Sequence, residues 1–122
     1  RLVEWDALEN VLVMEFIDGI PFAQFLKNCS SKMQMEKVVR ALVAQAQTLD
    51  AAGIDHGQLG GKLHNILVDE KSRVWIIDFE KASYVRKTRN VSKLRDVLFN
   101  TRTMHSKKVL SVWKNARKAL GL

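Results

Sequence analysis

The alternation of apolar and polar residues predicts the element order strand, helix, long helix, hairpin, helix, helix. Residues 10–17 form a short apolar run with β-branched side chains, which is typical of a buried strand. Residues 18–21 then break the run with turn chemistry. Pro21 suits the first position of a helix, because the N–H that proline lacks would have no helical partner there. The apolar face of this short helix comprises Phe22, Phe25 and Leu26.

A long helix is predicted between a capping signal and a glycine. Ser31 and Gln34 have the spacing of a capping box, and Gly53 occupies the position at which helices commonly end. The apolar residues between them recur with helical spacing: Val38, Val39, Leu42, Val43, Ala46 and Leu49.

A hairpin is predicted after an irregular segment. Residues 54–65 are polar and contain glycine, so they predict no regular element. Residues 66–68 and 74–77 are short apolar runs, and the polar residues 69–72 between them form the predicted turn.

Two helices are expected to close the chain. Either Asn90 or Ser92 is a candidate cap for a helix through about Met104, and Ser106 is the candidate cap for a last helix that Gly121 ends. The predicted buried positions of the last helix are Val109, Leu110, Val112, Trp113, Ala116 and Leu120. The predicted fold class is therefore α+β and mainly helical.

The composition predicts one soluble domain of the reducing cytoplasm. The chain has 122 residues, of which 47% are apolar, which is enough for one core. No apolar run approaches the roughly 20 residues of a membrane span, and acids interrupt the apolar residues near the start, unlike in a signal peptide. Cys29 is the single cysteine, so an internal disulfide or a cysteine-based zinc cluster is excluded.

The net charge of +7 is unevenly distributed. Residues 81–122 hold 12 of the 20 Lys and Arg residues but only one of the 13 acids, Asp96. This basic segment is expected either to meet phosphates or an acidic partner, or to be the solvated face of helices.

Two polar stretches interrupt the apolar pattern and are the candidates for chemistry. Asp78 directly follows the second hairpin strand, and Asn65 directly precedes the first one. Because these strands pair, the carboxylate and the amide are expected at the same end of the hairpin. One carboxylate and one amide oxygen suit Mg²⁺, which takes few protein ligands.

At this point the order of motifs resembles the carboxy-terminal lobe of the protein-kinase-like fold. Residues 13–19 (VMEFIDG) look like the last strand of the small lobe and the hinge, residues 56–59 (HGQL) and 65–68 (NILV) like the catalytic loop and its metal-binding end, and residues 78–80 (DFE) like the DFG motif. The resemblance is to archaeal serine/threonine protein kinases with a kinship to RIO-type kinases.

The resemblance implies ATP and Mg²⁺ as cofactors. It makes Met14 the gatekeeper behind the adenine and Leu67 the floor of the adenine pocket. The backbone of Glu15, Phe16 and Ile17 would hydrogen-bond the adenine edge.

It also implies roles near the phosphates. Asp78 and Asn65 would hold Mg²⁺, and His56 would tie the catalytic loop to the metal motif. Asp96 would present its carboxylate to the backbone of that loop from a buried helix, whereas the alternative for Asp96 is an exposed acid paired with an arginine.

Departures from the family pattern keep other functions open. Gln58 occupies the position of the catalytic Asp. Asn65 lies seven residues after Gln58, whereas the family pattern places the Asn five residues after the Asp. Glu80 replaces the Gly of the metal motif. The first reading is a phosphotransferase in which Gln58 orients the acceptor, which would be a protein or an RNA-associated factor. The alternatives are a pseudokinase or an ATPase switch, or a basic nucleic-acid-binding module.

The domain division expected from the resemblance is residues 1–20 as the end of the small lobe and the hinge, and residues 21–122 as the C-terminal lobe. A Gly-rich loop and a strand lysine do not precede residue 8, so a fragment lacking the small lobe is expected.

Overall fold

The fold was obtained as a computed structural model. It describes the backbone of residues 2–6 and 11–14, and all atoms of residues 18–60, 63–100 and 103–122. Glu15, Phe16 and Ile17 lie outside the described residues, and so does the side chain of Met14. The expectations for these four hinge residues stay predictions.

The prediction of an α+β, mainly helical fold is confirmed. The strands are β1 (Leu2–Asp6), β2 (Val11–Met14), β3 (Gly19–Pro21), β4 (Ile66–Asp69) and β5 (Val74–Ile76). The helices are α1 (Phe22–Asn28), α2 (Lys32–Ala51), α3 (Asn90–Phe99), α4 (Met104–Val112) and α5 (Ala116–Ala119). No helix among the described residues is long and apolar enough to cross a bilayer.

Two strands of the structure were not predicted. β1 pairs with β2 in an antiparallel two-stranded sheet, so β2 has a partner instead of standing alone. β3 lies within the predicted turn and pairs with β4, and this makes a three-stranded antiparallel sheet in the order β3-β4-β5. Pro21 ends β3 and precedes α1 rather than opening it. At Gly19 a Cβ would lie 2.9 Å from the carbonyl oxygen of Val68, so the close approach of β3 to β4 requires glycine.

The core lies between the helices and one face of this sheet. α2 packs against α3 and β5, α3 packs against α4, and α1 packs against β4 and α4. The predicted apolar face of α2 is buried, except for half-buried Leu49. In β4, Ile66 and Val68 point into the core, while Leu67 lies on the opposite, half-exposed face.

The two ends of α2 follow the sequence signals in part. Ser31 caps α2 through a hydrogen bond from the Gln34 amide nitrogen, at 3.2 Å. The Gln34 side chain donates to Ser72 in the hairpin turn instead of completing the capping box. Gly53 follows α2 with a φ of 75°, as expected for a helix-terminating glycine.

The predicted ends of the last helices were wrong. α3 ends at Phe99 rather than Met104, and Thr103, not Ser106, caps α4. The Thr103 hydroxyl contacts the start of α4 and the last part of α3. It accepts a hydrogen bond from the Ser106 amide of α4 and donates one to the Val97 carbonyl oxygen of α3, at 2.9 Å. The expected single last helix is interrupted at Trp113, whose backbone leaves the helical conformation while its side chain stays buried.

Candidate active site

Four hydrogen bonds form a closed ring that joins the irregular loop after α2 to the end of the hairpin. The Gln58 amide donates to His56 Nδ1 at 3.2 Å, and Asn65 Nδ2 donates to the Gln58 carbonyl oxygen at 2.9 Å. The Ile77 amide donates to the Asn65 carbonyl oxygen at 2.9 Å, and His56 Nε2 lies 2.8 Å from the Ile77 carbonyl oxygen. We call these four residues the hydrogen-bond ring.

The hydrogen-bond ring fixes the tautomer of His56. The Gln58 amide can only donate to Nδ1, and the Ile77 carbonyl can only accept from Nε2. The neutral imidazole with its hydrogen on Nε2 therefore satisfies both contacts. The ring of His56 is fully buried and meets the ring of Phe79 edge-on, with 4.7 Å between centroids.

Two buried amide oxygens of the hydrogen-bond ring have no donor. Gln58 Oε1 and Asn65 Oδ1 are shielded from solvent, and neither has a hydrogen-bond partner among the described residues. The Gln58 carbonyl fixes the orientation of the Asn65 amide, since the reverse orientation would set two oxygens against each other. A buried oxygen that accepts no hydrogen bond lowers the free energy of unfolding. Both atoms are therefore suited to bind a cation or to accept a hydrogen bond from a hydroxyl of a ligand.

Asp78 directly follows the hydrogen-bond ring in a strained backbone conformation. Its φ is 63°, which is unusual for a residue with a side chain. Its side chain is exposed, and within the described parts of the chain no hydrogen bond or ion pair engages its carboxylate. Strained residues of this kind concentrate at functional sites.

The oxygen atoms at this end of the hairpin fit Mg²⁺. The Asp78 carboxylate and the Asn65 Oδ1 atom, which have no partner among the described residues, are hard oxygen ligands of the kind that a hard cation with few protein ligands prefers. The described residues contain no group of three or more His, Cys, Asp or Glu side chains that could hold a metal ion. Mg²⁺ held by Asp78 and Asn65 would complete its shell with water and phosphate.

The contact from α3 to the loop that carries His56 comes from Asn90, and the expectation for Asp96 was wrong. Asn90 Oδ1 accepts from the His56 amide at 2.9 Å, and its Nδ2 donates to Asp50 Oδ1 and to the Ile54 carbonyl at 2.8 and 2.7 Å. Asp96 lies two turns further along α3, with its side chain 69% exposed and 3.8 Å from Arg95.

An ion pair between buried Asp55 and half-exposed Arg86 holds the other side of the same loop. Asp55 is 1% exposed, accepts from Arg86 Nε at 2.7 Å and from the Arg89 amide at 2.9 Å, and exchanges backbone hydrogen bonds with Ser83. Burial alone would raise the pKa of Asp55, but these hydrogen bonds and the positive charge of Lys93 outweigh it and lower the pKa. Sequence reasoning missed the roles of both Asp55 and Asn90, because their partners lie 28 to 40 residues away along the chain.

The remaining candidates are at least partly exposed. Leu67 is half-exposed on the face of β4 that points away from the core, where a ligand can reach it. Glu80 is exposed.

The comparisons with known proteins identify the family. The RIO domain family model matches residues 4–117. This chain belongs to the RIO domain family. The RIO-type kinship expected from the motifs is thus confirmed, and the family is one of atypical, kinase-like phosphotransferases that generally bind ATP with Mg²⁺.

Two curated relatives extend the comparison of the RIO domain. An uncharacterized protein of Methanocaldococcus jannaschii is 34% identical over 89 residues, which cover 70% of this chain and 72% of the relative. The 3-deoxy-D-manno-octulosonic acid kinase of Vibrio parahaemolyticus is 57% identical over 30 residues, which cover 25% of this chain and 12% of the kinase.

Proposed function

We propose that this RIO domain provides the catalytic-loop and Mg²⁺-binding side of an ATP-dependent phosphotransferase. The observation that carries the proposal is the pair of donor-free amide oxygens, Gln58 Oε1 and Asn65 Oδ1, in a hydrogen-bond ring that leads directly to the unpaired Asp78 carboxylate. A kinase among the partial relatives supports the same activity.

Each residue of the site has one task in this proposal. Asp78 and Asn65 hold Mg²⁺, which when bound would neutralise charge on the phosphates of ATP. His56 keeps the loop and the end of β5 in register through its two ring nitrogens. Leu67 lies beneath the adenine, Met14 lies behind it as the gatekeeper, and the backbone of residues 15–17 binds its edge.

Gln58 takes the place of the catalytic carboxylate. Its amide cannot accept a proton as a carboxylate does, but Oε1 can accept a hydrogen bond from an acceptor hydroxyl and so orient it. Phosphoryl transfer depends mainly on positioning and electrostatics, so orientation alone can support turnover. The hydroxyl would belong to a protein or to another acceptor.

The second candidate function is a pseudokinase or an ATPase switch. Its support is also Gln58, because loss of a positioned base typically costs about 10²–10⁴-fold in rate. Nucleotide binding would then persist without transfer to an acceptor.

The metal assignment is tested with Asp78→Asn in the protein that contains this chain. We expect the Kd for Mg-ATP to rise by about tenfold or more, because a hard cation loses its charged ligand. Titration calorimetry measures the affinity, and the melting temperature should stay within a few degrees because Asp78 is exposed.

Glu80→Gln is the matched control, since it removes an exposed carboxylate two residues away. We expect its Mg-ATP affinity to match that of the unmodified protein. Equal affinity in the Asp78→Asn protein would refute the assignment.

Gln58 separates the two candidate functions. If Gln58 orients the acceptor, Gln58→Ala should lower phosphotransfer by about tenfold or more and leave the ATP affinity unchanged. In a pseudokinase the same substitution changes nothing, and Gln58→Asp raises a very low activity by providing a base. A radiolabelled-phosphate transfer assay measures these rates.

A further inference from the structure

Positive charge lies against the loop that carries Gln58. Lys93 of α3 is half-buried, and its Nζ lies 3.5 Å from the carbonyl oxygen of Gly57. Arg86 approaches the same residue, since a Cβ on Gly57 would lie 2.7 Å from Arg86 Nη2. Two cations therefore flank the residue that directly precedes Gln58.

These cations belong to a larger set that we call the basic cluster, which comprises Lys81, Arg86, Lys87, Arg89 and Lys93. Residues 81–93 contain no acid. The Asp55 carboxylate pairs with Arg86 at 2.7 Å, and across the described ranges no carboxylate forms an ion pair with the other four side chains. Residues 81–93 thus keep an excess of positive charge, and Lys93 and Arg86 bring part of it to the loop.

A solvated helical surface does not explain the position of Lys93. A lysine whose only task is solubility extends into water, whereas Lys93 lies half-buried against a backbone carbonyl. The ammonium group has three donors, and Gly57 uses one of them at a long distance. The remaining donors can bind an oxygen anion.

We propose that the basic cluster binds an anionic group of the acceptor, a carboxylate or a phosphate, with Lys93 as its principal contact. This inference rests on the proposed function, in which Asp78 and Asn65 hold the metal and Gln58 faces the acceptor. The cations contact Gly57, on the Gln58 side of the hydrogen-bond ring, so the anion they bind belongs to the acceptor rather than to ATP. The substrate class is an acid or a phosphorylated compound that also carries the hydroxyl to be phosphorylated.

The test uses inorganic phosphate and acetate as probes, without nucleotide or metal. The isotope-labelled chain is titrated with each anion, and the backbone amide resonances are followed by NMR. We expect saturable shifts at Gly57, Gln58 and the first turn of α3. Lys93→Gln should weaken binding by about tenfold, which corresponds to the loss of one partly exposed charge-assisted hydrogen bond.

Lys118→Gln is the matched control, because it removes the same charge from an exposed position on α5. We expect it to leave the binding of both anions unchanged. Shifts that avoid Gly57, or an equal loss of binding in the two variants, would overturn the proposal. Tighter binding of phosphate than of acetate identifies a phosphorylated acceptor, and the reverse identifies a carboxylic acid.

Two further measurements separate other outcomes. The labelled chain is also titrated with a single-stranded RNA oligonucleotide. Saturable amide shifts that extend over the lysines of α4 and α5 would overturn the proposal in favour of a nucleic-acid-binding surface. Asp78→Asn should not affect anion binding at Lys93. Failure of the proposed function, seen as unchanged Mg-ATP affinity in that variant, is therefore distinguishable from failure of this inference.

Discussion

Replacement of Asn90 tests whether α3 holds the candidate loop in place. Its side chain is 1% exposed and makes three hydrogen bonds, to the His56 amide, to the Asp50 carboxylate and to the Ile54 carbonyl. Asn90→Ala removes all three bonds at once and creates only a small cavity. We expect a loss of stability and a loosening of the loop at His56.

The magnitude follows from the groups that are left behind. The His56 amide is fully buried, and without Asn90 Oδ1 it has no acceptor, whereas the half-buried Asp50 and Ile54 can recover water. An unsatisfied buried group costs about 1–3 kcal/mol and a partly solvated hydrogen bond about 0.5–1.5 kcal/mol. One buried group and two partly solvated bonds are lost, so we expect the free energy of unfolding to fall by about 2–6 kcal/mol. The melting temperature should fall by roughly 4 °C per kcal/mol.

Urea denaturation followed by circular dichroism measures this loss. Ser92→Ala is the matched control on the same helix, because its hydroxyl bonds only to the Arg89 carbonyl, and it should change the stability by less than about 0.5 kcal/mol. Asn90→Asp keeps an acceptor for the His56 amide but sets a carboxylate against Asp50, so it should destabilise the protein at neutral pH despite its equal size. The reasoning is refuted if Asn90→Ala costs no more than Ser92→Ala.

Two other perturbations address the same loop. Because its folded-state pKa is lowered, ionised Asp55 contributes stability that is complete above the ordinary value of 3.8 and is lost as the pH falls through the lowered value. The free energy of unfolding of the native chain should therefore fall more steeply below about pH 4 than that of Asp55→Asn, and equal slopes in urea titrations would contradict this. Gly57 has a φ of 92°, and an added Cβ would meet Arg86 Nη2 at 2.7 Å, so Gly57→Ala should cost about 1–3 kcal/mol in thermal unfolding. Gly60→Ala, where nothing lies within 4 Å of the new Cβ, is the control, and a similar cost there would count against the strain argument.

The elements that could be predicted from the sequence are those with a local cause. α2 repeats its apolar residues over several turns between a serine cap and a glycine with positive φ, so both its extent and its buried face follow from the pattern. The hairpin of β4 and β5 likewise has two apolar runs separated by a polar turn.

The features that were missed depend on distant partners. β3 is three residues long and has a turn-like sequence, and it is a strand only because β4, more than 40 residues later, supplies its hydrogen bonds. The last helix looked continuous by its apolar spacing, but burial of Trp113 outweighs helix continuity. No local signal distinguishes these cases from ordinary turns and helices.

The site residues divide in the same way, into those with local sequence signals and those whose roles depend on distant partners. The prediction that Asn65 and Asp78 are oxygen ligands could be made from the sequence, because the hairpin that brings their strands together has local signals. It does not identify Asn90 as the anchor of the loop. An amide can accept from the His56 amide and donate to Asp50 at the same time, whereas an aspartate at this position would repel Asp50.

The hydrogen-bond ring explains how Gln58 is compatible with an intact site. The ring uses only the backbone N–H and C=O of residue 58, which are the same for glutamine and aspartate. The contacts that residue 58 makes in the ring therefore do not depend on its side chain, so a glutamine at this position is compatible with the observed arrangement of His56 and Asn65. In the proposed phosphotransferase, the rate of phosphotransfer then depends on the side chain of residue 58, while the hydrogen-bond ring stays the same. For this reason Gln58→Ala and Gln58→Asp are expected to alter phosphotransfer while the affinity for Mg-ATP stays constant.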